Sequence, residues 1–169
     1  MAPTRKNSDD TDGLTARAFE EVGEKWSLLI VREATHGATR FDDFSRLGIA
    51  SNILAARLAR LVDYGILERR PTVDRANTKG YHLTAKGEAL YPVIVALTQW
   101  SDDWHAPDGK APIILVDAAT GAPVEPIAVR AANGPALSYA GVRFAPGPGA
   151  HPATVALIAE RNRKVLGQT

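Results

Sequence analysis

Apolar residues recur every three to four positions across the N-terminal part of the chain, a spacing typical of helices that bury one face. Leu54, Leu58 and Leu61 form the clearest stripe. Pro92 removes one main-chain donor from the last predicted helix, so we expect a bend there. The spacing predicts helices over residues 14–22, 26–34, 41–47, 50–64 and 85–104.

The segment after the fourth predicted helix changes to the alternating pattern of β-strands. Residues 66–70 read ILERR, and residues 81–84 read YHLT. The intervening PTVDRANTKG is rich in residues that favour turns, and it carries Arg75 and Lys79. Two short strands joined in this way predict a β-hairpin with a long basic loop.

The remainder of the chain has a third pattern. We interpret residues 106–112 as a linker. Three β-like runs between residues 113 and 145 are separated by glycine- and proline-rich segments, which predicts a small antiparallel β-meander. A terminal helix is expected from Pro152, since proline suits the first turn of a helix. The chain is thus predicted to be α+β, with a main domain over residues 14–105 and an extension over residues 113–169.

Composition restricts the function classes. The 169 residues carry a formal net charge of +1, so any nucleic-acid surface has to be local. Cysteine is absent, which excludes disulfides, thiolate zinc sites and cysteine nucleophiles. Residues 1–13 lack the apolar centre of a signal peptide and are expected to be disordered, and no apolar run is long enough to cross a membrane. We therefore expect a cytoplasmic protein without a membrane partner.

The fourth predicted helix has an unusual outer face. Opposite its leucine stripe lie Asn52 and three alanines, Ala55, Ala56 and Ala59. The major groove of DNA admits a helix when no bulky side chain holds it away, and an asparagine there pairs with adenine through two hydrogen bonds. Ser51 can reach a base edge or a phosphate. Two helices joined across a glycine and followed by a basic hairpin therefore indicate a winged helix-turn-helix that binds double-stranded DNA.

Local charge is consistent with this interpretation. Residues 57–79 contain six basic and three acidic side chains. A solvated helix and an exposed hairpin would show the same charges, so this alternative remains open on charge alone. Basic residues of the hairpin would contact phosphates, which position a protein without specifying a sequence. The candidate DNA-contacting residues are Arg40, Ser51, Asn52, Ala55, Ala56, Arg57, Arg60, Arg75 and Lys79.

Five longer motifs follow one another along the chain: EKWSLLIVRE, RFDDFSR, RLARLVDYGILER, YHLTAKGEALYPV and WSDDW. Together they span much of residues 14–104, and this region resembles the HxlR family of bacterial winged-helix transcription regulators. The resemblance implies a homodimer, with the N-terminal helix and the helix over residues 85–104 at the interface, and one recognition helix of each subunit in successive major grooves. Many family members sense thiol-reactive compounds through a cysteine, a mode that this chain cannot use.

The segment LVDAATGAPVEPIAVRAANGPALSYAGVRFAPGPGA resembles the tail of some family members, which often carries paired cysteines of CxxCG spacing. VRAANG stands at the corresponding place, so the ligands of a structural zinc ion are missing. No metal site is predicted, and packing or dimerisation would have to hold the extension together.

A small-molecule site is a further hypothesis. Aromatic side chains at a dimer interface would line an apolar cavity, a common place for ligands. The alternative, which is favoured for each residue taken singly, is that these aromatics fill a core. On this hypothesis a small aromatic or apolar effector, bound non-covalently, controls DNA affinity. The candidate ligand-binding residues are Phe19, Trp26, Tyr91, Trp100 and Trp104.

Catalytic patterns do not occur in the sequence, since HExxH, GxSxG, Walker A and GxGxxG are all missing. The four histidines are scattered, and Asp102 with His105 fits a solvated helix end better than a shared metal. No catalytic residue or cofactor is predicted, and the protein is not expected to be an enzyme. The alternative is a ligand-binding protein, or an enzyme of unrecognised type, in which the winged-helix surface is not the main site.

Overall fold

The computed structural model describes residues 12–71 and 79–166. Residues 21–127 form one compact unit, and the described residues outside this range form another. Short 3-10 turns cover Pro107–Gly109 and Tyr139–Gly141. The helices and strands are α1 (Asp12–Val22), α2 (Ser27–Thr35), α3 (Phe41–Ser45), α4 (Ser51–Asp63), β1 (Leu67–Pro71), β2 (Lys79–Leu83), α5 (Ala85–Glu88), α6 (Tyr91–His105) and α7 (Pro152–Leu166).

The predicted disorder of residues 1–13 concerns a segment that lies almost entirely outside the described ranges. Its last two residues, Asp12 and Gly13, begin α1. The five helices expected in the main domain are present, the last of them in two parts. The α+β class is confirmed.

The core of the larger unit is built on the leucine stripe of α4. Leu54, Leu58 and Leu61 are buried, as their spacing predicted, in one cluster with Phe44 of α3 and Ile30 of α2. Each such side chain stabilises the fold by roughly 1.5–3 kcal/mol when it leaves water. Because this face of α4 is buried, the opposite face is directed to solvent.

A glycine turn sets the direction in which the chain leaves α4. Gly65 has a φ of 68°, a conformation that glycine adopts without steric cost. The next amide, that of Ile66, donates a 2.9 Å hydrogen bond to the Leu61 carbonyl and so closes the helix end. The chain therefore enters β1 directly after the helix.

Strands β1 and β2 form the predicted hairpin. They pair antiparallel, with Leu67 opposite Leu83 and Pro71 opposite Lys79. The loop between them, including Arg75, lies outside the described residues. The hairpin follows α4 in the chain, as a wing follows a recognition helix.

The single helix predicted over residues 85–104 is two helices. α5 ends at Glu88, and α6 begins at Tyr91 with Pro92 in its first turn. First-turn amides have no partner within a helix, so proline is tolerated there, whereas it disrupts a continuous helix. Pro92 therefore starts a new helix instead of bending a long one.

The extension contains less sheet than its β-like runs indicated. Within residues 113–145, all of them described, pairing is limited to two isolated antiparallel bridges, Val116 with Pro123 and Arg130 with Ala136. Pro126 begins one of these runs, and Pro123 and Pro135 lie between them. Proline cannot donate to a ladder, so the bridges do not extend into strands. The terminal helix α7 begins at Pro152, as predicted.

Side-chain amides, and not neighbouring strands, form hydrogen bonds with main-chain groups in parts of the extension. In one unit, Gln99 of α6 donates to the Glu125 carbonyl (3.2 Å) and accepts from the Ile127 amide (2.8 Å). In the other, Asn162 of α7 accepts from the Phe144 amide (3.1 Å) and donates to the Phe144 carbonyl (2.8 Å). Each amide satisfies main-chain groups that a neighbouring strand would otherwise satisfy.

Candidate nucleic-acid interface

The first helix of the candidate site, α3, is held at its N-terminus by Asp43. The carboxylate accepts hydrogen bonds from the amides of Arg40 (2.8 Å) and Thr39 (3.0 Å). These two bonds, the one from Arg40 first, hold the pKa of the Asp43 carboxyl below its usual value. α3 therefore begins at a fixed place next to α4, and the Arg40 side chain lies half-buried at that place.

The solvent face of α4 is formed by small residues. Ser51, Asn52, Ala55, Ala56 and Ala59 are all exposed. The first four of these were predicted as DNA contacts, and they lie together on a well-supported helix. A helix with this face can approach another surface closely, and Asn52 presents both a donor and an acceptor.

Two arginines flank this face, and both pair with a residue that sequence reasoning missed. The Glu24 carboxylate, between α1 and α2, forms ion pairs with Arg57 and, at 3.2 Å, with Arg60. Glu24 is distant from α4 in the sequence, so no local pattern indicates this contact. Both arginines were predicted as DNA contacts.

The C-terminal end of α4 is fixed by contacts around Tyr64. The Arg60 guanidinium donates a 2.8 Å hydrogen bond to the Tyr64 hydroxyl and lies 5.6 Å from its ring centroid. Lys86 donates to the Tyr64 carbonyl (2.9 Å) and pairs with Glu21. α5 and the end of α1 are thereby joined to the end of α4.

The wing residues have different surroundings. Arg69 donates a 2.9 Å hydrogen bond to the Tyr81 hydroxyl, and Arg70 pairs with Glu68. Lys79, the first residue of β2, is exposed where the described part of the hairpin ends. Of the two predicted wing contacts, Lys79 is therefore on the surface, whereas Arg75 lies outside the described residues.

The five aromatic candidates for a ligand site differ in exposure. Phe19, Tyr91, Trp100 and Trp104 are exposed, whereas Trp26 packs half-buried against the core. A cleft of about 220 Å³ lies instead between α2 and α6. It is lined by Leu28, Leu29, Arg32, Ile94, Leu97, Thr98, Ser101 and Asp102.

The described residues form neither a metal-binding cluster nor a membrane-spanning helix. No group of three histidine, aspartate or glutamate side chains within residues 12–71 and 79–166 is arranged to hold a metal ion. His105 packs edge-on against Trp100, with ring centroids 5.2 Å apart. None of the described helices has the length and apolar character needed to span a bilayer.

The architecture defines a class of protein. A short helix leads through a tight turn into a helix with a small-residue face, and a two-stranded wing follows. This is the arrangement of a winged helix-turn-helix, in which the second helix enters the major groove of DNA.

Comparison with known proteins identifies the family. The model of the HxlR-like helix-turn-helix family matches residues 21–109. An uncharacterised HTH-type transcriptional regulator of Mycobacterium tuberculosis is 37% identical over 79% of this chain and 85% of its own length. The chain belongs to the HxlR-like helix-turn-helix family, as its motifs indicated, and is a DNA-binding transcription regulator of helix-turn-helix type.

Two solved structures extend the similarity beyond the family region. PA1607, described as a candidate transcription factor, has a TM-score of 0.73 and 38% identity, covering 83% of this chain and 99% of that chain. PA1374 from Pseudomonas aeruginosa, described likewise, has a TM-score of 0.58 and 37% identity, covering 84% and 97%. The similarity therefore includes part of the C-terminal extension.

Proposed function

We propose that the protein is a homodimer that regulates transcription by placing α4 of each subunit in successive major grooves of an operator. The observation that carries this proposal is the small-residue face of α4 with Asn52 at its N-terminal end. Asn52 pairs with an adenine, and Ala55 and Ala56 contact thymine methyl groups. Ser51 contacts a base edge or a phosphate.

The basic residues around this face make the phosphate contacts. Lys79 and Arg75 act from the wing, Arg40 from the start of α3, and Arg57 and Arg60 from the flank of α4. Such contacts supply sequence-independent affinity and make binding depend on salt. The protein acts by binding, and none of its residues is assigned a catalytic role.

The dimer uses α1 and the α5–α6 region. Each leaves apolar side chains in solvent, including Leu14 on α1 and Leu97, Trp100 and Trp104 on α6. Large apolar groups of this kind are usually covered by a partner. Two-fold symmetry would then present two copies of α4 to a palindromic operator.

Control is exerted by a small aromatic or apolar molecule that binds without covalent chemistry. Phe19, Trp26, Tyr91, Trp100 and Trp104 line its site once the dimer has formed. An effector changes DNA affinity only by the difference in its affinity for the two dimer geometries, commonly about 1–3 kcal/mol. A chain without cysteine has no thiolate for disulfide formation or alkylation.

The experiment is selection of preferred duplexes from a random library, followed by binding titrations of the best site with and without a panel of aromatic metabolites. We expect one palindromic site, two subunits per site, and weaker or stronger binding with at least one compound. Peroxide, diamide and quinones should leave binding unchanged. Selection of no site would contradict operator binding, and a reductant-reversible loss would contradict non-covalent control.

A further inference from the structure

The Glu24 carboxylate forms ion pairs with both arginines of α4 at the same time. Arg57 and Arg60 lie one helical turn apart on α4, and one oxygen of the Glu24 carboxylate faces each of them, Oε2 toward Arg57 and Oε1 toward Arg60. Arg57 and Arg60 are the basic side chains of this helix. One carboxylate therefore neutralises much of the positive charge that α4 carries.

The pairing is partly shielded from water. The Arg57 and Glu24 side chains are 25% and 33% exposed, and Nε of Arg57 is buried with no hydrogen-bond partner among the described residues. A half-buried ion pair is screened less by salt than an exposed one. The Arg60 side chain is 53% exposed, and it also donates a hydrogen bond to the Tyr64 hydroxyl. A phosphate that approaches either arginine must therefore compete with Glu24.

We propose that Glu24 is an affinity-determining residue that lowers sequence-independent DNA binding by competing with phosphates for Arg57 and Arg60. This inference rests on the proposed placement of α4 in the major groove. Non-specific binding comes almost entirely from cations that neutralise phosphates. A recognition helix whose cations are already paired depends more on its base contacts, such as that of Asn52.

The test is Glu24→Gln, which keeps the size of the side chain and removes its charge. Binding to a duplex that lacks the operator should become about 3–10-fold tighter at low salt. The plot of log affinity against log salt should steepen by up to about 0.9 for each freed arginine per subunit. The affinity for the operator should rise by no more than the affinity for the unrelated duplex. The ratio of the two affinities should therefore not increase.

The matched control is Glu88→Gln, an exposed glutamate of α5 that changes the net charge equally. It should give a smaller gain and an unchanged salt slope. If Glu24→Gln behaves like this control, or weakens binding to the unrelated duplex, the inference is overturned.

If Glu24→Gln does not fold because Arg57 and Arg60 lose their partner, a variant that also lacks both arginines provides the test. The triple change Glu24→Gln, Arg57→Gln and Arg60→Gln should lower the salt slope for the unrelated duplex by clearly less than about 0.9 for each arginine per subunit, because Glu24 already withholds part of their charge from the phosphates. A decrease of about 0.9 for each arginine would show that Glu24 does not compete with phosphate and would overturn the inference. Asn52→Ala, measured on the operator, tests the placement of α4 separately. If this variant does not alter the sequence preference, α4 does not lie in the major groove as proposed. If only the Glu24 variants fail, the placement of α4 is unaffected and the inference about Glu24 alone is overturned.

Discussion

The main-chain amide of Tyr81 donates a 2.7 Å hydrogen bond to the carbonyl of Thr39, which joins wing strand β2 to the turn before α3. The Tyr81 ring also packs edge-on against Phe44 of α3, with centroids 6.2 Å apart, and its hydroxyl accepts from Arg69. One residue thus connects the wing to the helix-turn-helix. The position of the wing relative to α4 depends on this connection.

Tyr81→Ala should therefore destabilise the larger unit by about 3–5 kcal/mol, because it leaves a cavity beside Phe44. The measurement is urea unfolding followed by tryptophan fluorescence. Tyr139→Ala is the control, since Tyr139 is 86% exposed, and its unfolding midpoint should stay at the wild-type value. Equal midpoints for the two variants would contradict the role of Tyr81 as a connection.

A second prediction concerns the close approach of α5 to Ile66, the residue before β1. Thr84 caps α5 by accepting from the Gly87 amide (3.1 Å), and a Cβ on Gly87 would lie 2.2 Å from the Ile66 carbonyl oxygen. Gly87→Ala should cost about 1–3 kcal/mol through overpacking against the backbone. Gly147→Ala, where a Cβ meets nothing within 4 Å, should leave thermal stability unchanged. If Gly87→Ala left the thermal stability unchanged, it would contradict the close approach, because α5 could then shift away from Ile66.

A third prediction is a pH dependence from Asp43. Its folded pKa lies below the usual 3.8, so its contribution to stability is present at neutral pH and is lost as the pH falls through the folded pKa. Asp43→Asn should cost about 1–2 kcal/mol at pH 7, and the difference from wild type should shrink at acidic pH. Asp42→Asn, in the same first turn, is the control. A pH-independent difference in urea unfolding would contradict this assignment.

A fourth prediction tests the dimer. Leu97→Glu should dissociate it, because an interface would have to bury an unpaired carboxylate. Sedimentation at micromolar concentration should show a dimer for wild type and a monomer for the variant. Val124→Glu, at a side chain of similar exposure (43% against 46%), should remain dimeric. A monomeric wild type would contradict the proposed assembly.

Much of the winged-helix part was predictable because its signals are local. The spacing of Leu54, Leu58 and Leu61 determines which face of α4 is buried, and Gly65 determines where the helix ends. The Glu24 pairs were not predictable, since they join segments that are distant in the sequence. The start of α6 was mispredicted because Pro92 fits both a bend and a first helical turn.

The extension has the composition of a sheet but forms only isolated bridges among residues 113–145. Runs such as PIAVRA have the composition of strands, but a strand also needs continuous partners. Pro123 and Pro126 remove donors on the segment that would pair, so side-chain amides such as Gln99 take that role. Composition alone does not reveal this exchange.

In the proposed complex, Asn52 makes a base-specific contact, whereas Lys79 contacts only phosphate. The most direct measurement is the affinity of wild type, Asn52→Ala and Lys79→Ala for the selected operator and for each of its single-base-pair variants, at two salt concentrations. Asn52→Ala should lose about 1–3 kcal/mol on the operator and relax discrimination at one base pair. Lys79→Ala should weaken all duplexes similarly and flatten the salt dependence. A changed sequence preference in Lys79→Ala, together with an intact preference in Asn52→Ala, would contradict these two roles.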